Sequence, residues 1–353
     1  MGGRALFGVA AGVALAAVFV RRYRRALTDR TPPPSAGDRA GFPIPPGDKT
    51  VVDSVCVYPV KALRGARHAR VDLDAYGVKG DRRFMLYVDG PAPRFITQRQ
   101  MPHLALMEAE LVTGPGGREE LVLRWRAPMS RAERLGLAAI LPAATMHLQV
   151  PVNATGMRRV RVGIWSDEVE TVDMGARVAL WVSFWLGRRV RLCWTGDAFH
   201  RPVDARYTPD IALRGGKDLP QVSFGDGYPI LLAGTASLQD LNRRLVAAGA
   251  EPVPMDRFRP NVVVHTTQPF DEDTWKRIRI GQVEYAVVKG CGRCKVPTID
   301  QATGKAAPAP AASTSGLAEP VLTLSQYRKH GDDFYFGQNI IPLTTAGELA
   351  EGG

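Results

Sequence analysis

A chain of 353 residues, 45% apolar and 23% charged, is long enough for two modest domains and apolar enough to bury a real core, which excludes disorder along its whole length. Its net charge is +11, but Arg4, Arg21, Arg22, Arg24, Arg25 and Arg30 against Asp29 give residues 1–30 a charge of +5, leaving +6 for the body. That body has no basic run interleaved with aromatics, which excludes nucleic acid, and four cysteines are too few for a secreted disulfide scaffold.

Ala5 to Val20 is an uninterrupted apolar run closed by Arg21-Arg22-Tyr23-Arg24-Arg25. As a helix it would span roughly 24 Å, a little short of a hydrocarbon core, with the arginines snorkelling at its end. The cationic cluster follows the apolar stretch, whereas a cleaved signal peptide places it before. The run therefore predicts a transmembrane signal anchor over residues 1–30, with the body on the cytosolic side and the mitochondrial outer membrane as the setting. Residues 31–50 hold Pro32, Pro33, Pro34, Pro43, Pro45 and Pro46 and read as a stiff linker.

From Val51 the chain reads as strands. Ser54–Tyr58, Arg83–Val88 and Leu121–Trp125 are β-branched or aromatic runs bounded by Gly, Pro or Asp, and Arg158–Val172 alternates as a strand or hairpin. Val178, Trp181, Val182 and Trp185 repeat at helical spacing over Ala176–Leu186, and Arg189–Trp194 returns to strand. A helix begins near Thr235 with Leu238, Leu241 and Leu245 on one face, Ser237 and Asp240 as a capping box, and Gly249 to end it. Asn261–His265 is a buried strand. Lys276–Ile280 and Gln282–Lys289 form a hairpin turning at Gly281, which delivers the chain into Gly290-Cys291-Gly292-Arg293-Cys294. Lys305–Gly316 is a flexible loop by composition.

Cys291-x-x-Cys294 admits three chemical readings. A zinc half-site needs two further ligands, and no second pair supplies them. A thioredoxin-like redox pair needs a helix after the second cysteine, against which Pro297 argues. A single thiolate would suit a soft, redox-active metal. Two ordinary turn cysteines are the plain alternative.

Eight short motifs bear on the choice: Tyr58-Pro59-Val60-Lys61, Asp81-Arg82-Arg83-Phe84, Thr97-Gln98-Arg99-Gln100, Asp226-Gly227-Tyr228-Pro229, Asp240-Leu241-Asn242, Phe258-Arg259-Pro260-Asn261, Cys291-Gly292-Arg293-Cys294 and Phe336-Gly337-Gln338-Asn339. In this order, from Val52 to Leu343, they resemble the MOSC proteins with an N-terminal β-barrel, and among those the amidoxime-reducing members. The resemblance implies a β-rich α+β fold, with a MOSC N-terminal β-barrel domain over residues 51–165 and a MOSC β-barrel domain with peripheral helices over residues 166–349.

It implies that Cys294 binds the metal of a molybdenum cofactor (Mo-molybdopterin) and is the catalytic cysteine, with Cys291 a neighbour. Lys61, Arg82 and Arg259 then grip the pterin phosphate, Asn261 and Asn339 offer amide contacts to the pterin ring, and Arg293 donates near the metal. The chain departs from the family at Ala62 and Gly292, where serine is common, and at Asn339, where tyrosine occurs.

The implied activity is a molybdenum-dependent N-reductase acting on amidoximes, hydroxylamines and N-oxides. Its electrons come from cytochrome b5 and cytochrome b5 reductase, since the cysteines make no iron–sulfur cluster and no pyridoxal phosphate or flavin site is expected. Two other readings use the same fold: a sulfur-handling protein carrying a persulfide, and a non-catalytic molybdenum-cofactor carrier.

Overall fold

The computed structural model describes residues 50–127, 142–208, 220–310 and 315–353. The anchor and nearly all of the proline-rich linker lie outside the described residues. Among those described, no helix is long and apolar enough to cross a membrane.

The first half contains β1 (Val51–Val57), β2 (Ala66–His68), β3 (Arg70–Asp74), β4 (Gly77–Val78), β5 (Phe84–Val88), β6 (Arg94–Phe95), β7 (Met107–Thr113), β8 (Glu119–Trp125), β9 (Thr145–Gln149), β10 (Arg159–Ile164) and β11 (Asp167–Asp173). Helix α1 (Ala176–Leu186) and β12 (Arg191–Trp194) follow. The second half contains β13 (Ile230–Gly234), α2 (Thr235–Ala247), β14 (Val262–His265), β15 (Arg277–Ile280), β16 (Val283–Gly292), α3 (Val321–Tyr327), β17 (Lys329–His330), β18 (Asp333–Pro342) and β19 (Gly347–Ala350).

A closed barrel runs β10-β11-β12-β5-β6. β5, Phe-Met-Leu-Tyr-Val, is apolar at every position because both of its faces are covered. Met85 and Tyr87 point into the barrel with Val162 and Cys193, while Phe84 and Leu86 pack outward with Leu104, Met107, Val178 and Trp181. The helical spacing of Val178, Trp181 and Val182 thus buries one side of α1 against the barrel wall. Gly187, at φ +61°, ends that helix in the left-handed conformation that glycine adopts without penalty. The three-stranded sheet β7-β8-β9 completes this layer. The domain division expected at residues 165/166 falls at the tip of the β10–β11 hairpin, inside the barrel.

In place of a second closed barrel, the other half forms an eight-stranded sheet that follows β15-β16-β18-β13-β14-β1-β2, with β17 beside β18. Its end strands β15 and β2 are not bonded to each other, so the path stays open. The sheet β19-β3-β4 packs on it instead, sharing a core of Val55, Leu73, Ile280, Val283, Tyr285 and Leu349. Strand β1 pairs with β14, Val55 opposite Val262, so the first described strand is built into the C-terminal sheet. That pairing brings the loop after β1 to the loops around β13, β14 and β16.

The capping box expected at α2 does not form. Glu272, fully buried, accepts the Gly234 N–H at 3.0 Å and the Ser237 hydroxyl at 2.7 Å, and Thr266 accepts the Ala236 N–H at 3.2 Å. Asp240 turns to Arg243 and Arg244. The orphan donors of the helix start are satisfied from a distant loop, which local spacing cannot reveal.

Candidate active site

Segments from both halves converge on Asp81, which is 2% exposed. One oxygen of its carboxylate accepts the Tyr58 N–H at 2.9 Å and the Asn261 amide at 3.0 Å; the other accepts Arg82 at 2.5 Å. Ser223 donates its hydroxyl to the Asp81 carbonyl, and the Phe224 N–H bonds the Arg82 carbonyl at 3.0 Å. The Arg82 and Arg259 guanidiniums both lie over the Tyr58 ring, at 4.5 and 4.4 Å from its centroid. Lys61, 6% exposed, donates to the Phe224 carbonyl at 2.7 Å and to Asp226. Lys61, Arg82 and Arg259 are therefore one cluster, although the sequence spreads them over almost two hundred positions.

The cluster carries surplus positive charge. Asp81 pairs with Arg82 and Asp226 with Lys61. Arg259 donates to the Leu63 carbonyl at 2.6 Å, and among the described residues no carboxylate pairs with it or with the nearby Arg99. Four cations against two carboxylates leave two charges, which suits a phosphate monoester. Burial, helped by the like charge of Arg82, pushes the Arg259 guanidinium down to about 10, as expected of a cation desolvated without a counter-ion. Backbone strain collects here too. Five non-glycine residues among those described have φ in the left-handed region, and four of them, Ala62, Arg82, Trp165 and Arg259, belong to this neighbourhood.

Cys294 follows β16 and is half-buried. The Val296 N–H points at its Sγ at 3.5 Å, and Val296 opens a three-residue 3₁₀ turn containing Pro297 rather than the helix a thioredoxin-like pair needs. The Cys291 thiol faces the Gly292 carbonyl at 3.9 Å. Burial pushes that thiol up, partly offset by Arg293, so it stays protonated near neutrality. All four cysteines are free. Among the described residues no group of three or more His, Cys, Asp or Glu could hold a metal ion, so a metal on Cys294 would need ligands from a cofactor.

Arg293 joins the cysteine loop to the cation cluster through backbone carbonyls. Its Nε and Nη2 donate to the Phe336 carbonyl at 2.9 and 2.6 Å and its Nη1 to the Phe258 carbonyl at 3.0 Å, so three of its N–H groups clamp backbone. Phe258 precedes Arg259 and stacks on Phe336 at 4.0 Å. Asn261, 1% exposed, also has another duty. Its amide donates to the Cys56 carbonyl and Asp81, and its oxygen accepts Arg82 and the Leu231 N–H. Both of its ends are occupied, so it orients Arg82 and has no amide edge left for a ring. Asn339 is half-buried and donates to the Lys289 carbonyl at 3.1 Å, and among the described residues no donor reaches its own oxygen.

Asp81, Asp226, Arg99 and Trp165 are site residues to which the sequence assigned no role. Asp81, Asp226 and Arg99 stood inside quoted motifs. Trp165 had a signal of its own, a bulky aromatic in a two-residue hairpin turn that favours Asn or Gly. Gln98 and Gln301 exchange amide hydrogen bonds at 3.0 and 2.9 Å and fasten the Arg99 loop to the segment after Cys294.

A pH dependence follows from Lys61. Burial pushes its ammonium down to about 8 against the pull of Asp226. Raising the pH from 7 to 9 discharges it, so affinity for inorganic phosphate is expected to fall about ten-fold by calorimetry, while Lys61→Gln shows no such step. Because this folded value lies below the unfolded one, stability without an anion should rise between pH 8 and about 10.4.

Comparison with known proteins bears on what this arrangement is. A MOSC N-terminal beta barrel domain matches residues 49–189 and a MOSC domain matches residues 220–352. The mitochondrial amidoxime-reducing component 1 of Danio rerio is 29% identical over 292 residues, covering 79% of this chain and 74% of that protein. The Homo sapiens protein of the same name is 26% identical over 302 residues, 82% of this chain and 78% of its own. A molybdenum cofactor sulfurase of Oryza sativa subsp. japonica is 26% identical over 289 residues, 80% of this chain but only 31% of its own length, so the chain spans about a third of that relative. With the two domain matches in succession over most of the described residues, the chain belongs to the MOSC proteins that carry a MOSC N-terminal beta barrel domain.

Proposed function

We propose that this chain is a molybdenum-cofactor oxidoreductase that reduces N-hydroxylated compounds, with electrons delivered by cytochrome b5 and its reductase at the mitochondrial outer membrane. One observation carries the reading: a half-buried thiol, Cys294, stands in a loop clamped to the residue before Arg259, beside a cation cluster with two charges to spare. The relatives named for amidoxime reduction and for the molybdenum cofactor agree with it.

The residues fit such a cofactor. Cys294 offers a soft sulfur donor, and the Val296 N–H holds that sulfur in place. Lys61, Arg82 and Arg259 would hold the phosphate, with Asp81 and Asn261 keeping Arg82 aimed. The amide oxygen of Asn339 can accept from a pterin N–H. When bound, the cofactor supplies two-electron removal of oxygen from nitrogen, in which an N–OH compound, two electrons and two protons give the N–H compound and water. The half-buried setting of Cys294 leaves one side open to substrate. The basic body would steer an acidic haem protein, so reduction by cytochrome b5 should slow as salt is added.

The test is metal analysis of the purified full-length chain beside a benzamidoxime assay driven by dithionite. Molybdenum near equimolar to protein, with turnover, supports the reading. Labile sulfane sulfur without molybdenum would establish the sulfur-handling alternative, and bound pterin without turnover the carrier.

A further inference from the structure

The β10–β11 hairpin turns on two residues, Trp165 and Ser166, because Ile164 pairs directly with Asp167. Trp165 has φ +55°, a conformation that suits Gly, Asn or Asp and strains a bulky side chain. Its indole N–H is buried and has no hydrogen-bond partner among the described residues. Strain and an orphaned buried donor in one residue are two costs that turn chemistry does not explain.

The surroundings suggest what is missing. The Trp165 ring meets Phe95 edge-on at 4.9 Å, Arg99 stacks over it at 4.3 Å, and the Lys61 ammonium lies 5.6 Å from its centroid. Arg94 fastens the turn by donating to the Trp165 carbonyl at 3.1 Å. An unpaired N–H donor on a ring that two cations lie over, one of them without a carboxylate partner among the described residues, calls for an acceptor with negative charge.

We infer that Trp165 is a further phosphate-binding residue of this site, its indole N–H donating to an oxygen of the phosphate monoester that Lys61 holds, with Arg99 stacked behind it as an additional cation. The inference rests on the molybdenum-cofactor reading and extends it to a side chain that the motifs left without a role. No bond is made or broken at Trp165; it binds and positions.

The test uses the full chain with Trp165→Phe, which keeps the ring, the Phe95 contact and the Arg99 stacking and removes only the donor. Trp165→Gly suits the turn and serves as a second variant. Two readouts are independent of activity: pterin content per chain, and the concentration of inorganic phosphate that half-maximally raises the melting temperature. Trp165→Phe is expected to shift that concentration about ten-fold upward, equal to about 1.4 kcal/mol, and to lower pterin content, with melting without phosphate no lower than wild type. Trp165→Gly should show the same loss of phosphate response. Unchanged phosphate response and pterin content in Trp165→Phe would overturn the inference, as would failure of both variants to fold, which would make the indole a structural group. Wild-type protein without pterin, yet with the phosphate shift intact, would instead remove the cofactor reading.

Discussion

Cys294→Ala is expected to yield a folded protein that binds pterin weakly, holds no molybdenum and reduces benzamidoxime more than a hundred-fold more slowly than wild type. Cys291→Ala should keep both metal and rate within about two-fold. The asymmetry comes from the geometry of the two sulfurs. Cys294 is half-buried with a backbone N–H directed at its Sγ at 3.5 Å, an arrangement that fixes where the sulfur sits. Burial pushes the Cys291 thiol up, and it faces the Gly292 carbonyl at 3.9 Å. Neither truncation leaves a large cavity, so each should cost no more than about 1 kcal/mol of stability, and loss of metal cannot be blamed on unfolding. Cys294→Ser keeps the volume but replaces a soft donor with a hard one, and should lose molybdenum as fully as the alanine variant. Elemental analysis of the three variants decides the matter; a metal-free Cys291→Ala beside a loaded Cys294→Ala would refute the assignment.

Arg259→Met should move stability and cofactor binding in opposite directions. Wild type keeps this guanidinium partly buried, under repulsion from Arg82 and with no carboxylate paired to it among the described residues. An apolar side chain of similar length relieves that cost, offset by the lost hydrogen bond to the Leu63 carbonyl and the lost stacking on Tyr58. The cofactor-free protein is expected to be as stable as wild type or up to about 2 kcal/mol more stable. Pterin occupancy should fall at least ten-fold, because a charge-assisted hydrogen bond to phosphate is worth about 1.5–3 kcal/mol. Thermal melts and pterin analysis of the same preparations test both halves. A large fall in melting temperature with occupancy retained would make Arg259 a clamp for the Leu63 loop and nothing more.

Much of the fold was legible from short-range pattern. The strand character of β10 and β11, α1 over Ala176–Leu186, the start of α2 at Thr235 and the turn at Gly281 all follow from spacing and turn residues, because periodicity and backbone preference act within a few positions. Motif order likewise placed Lys61, Arg82, Arg259 and Cys294 in a MOSC chain before their positions in space were known.

What each side chain does with its polar atoms depended on neighbours far away in sequence. Arg293 and Asn261 stand at motif positions that suggest cofactor contacts, yet their hydrogen bonds go to Phe336, Phe258, Cys56 and Asp81. Glu272 caps a helix that begins 37 residues earlier, and Trp165 meets Lys61 only because the barrel closes. The sequence by itself determined the elements, the family and the cation-and-thiol inventory. Only the tertiary structure decided which cations remain unpaired, because a charge or donor is left over solely by virtue of what every other group in reach has already taken.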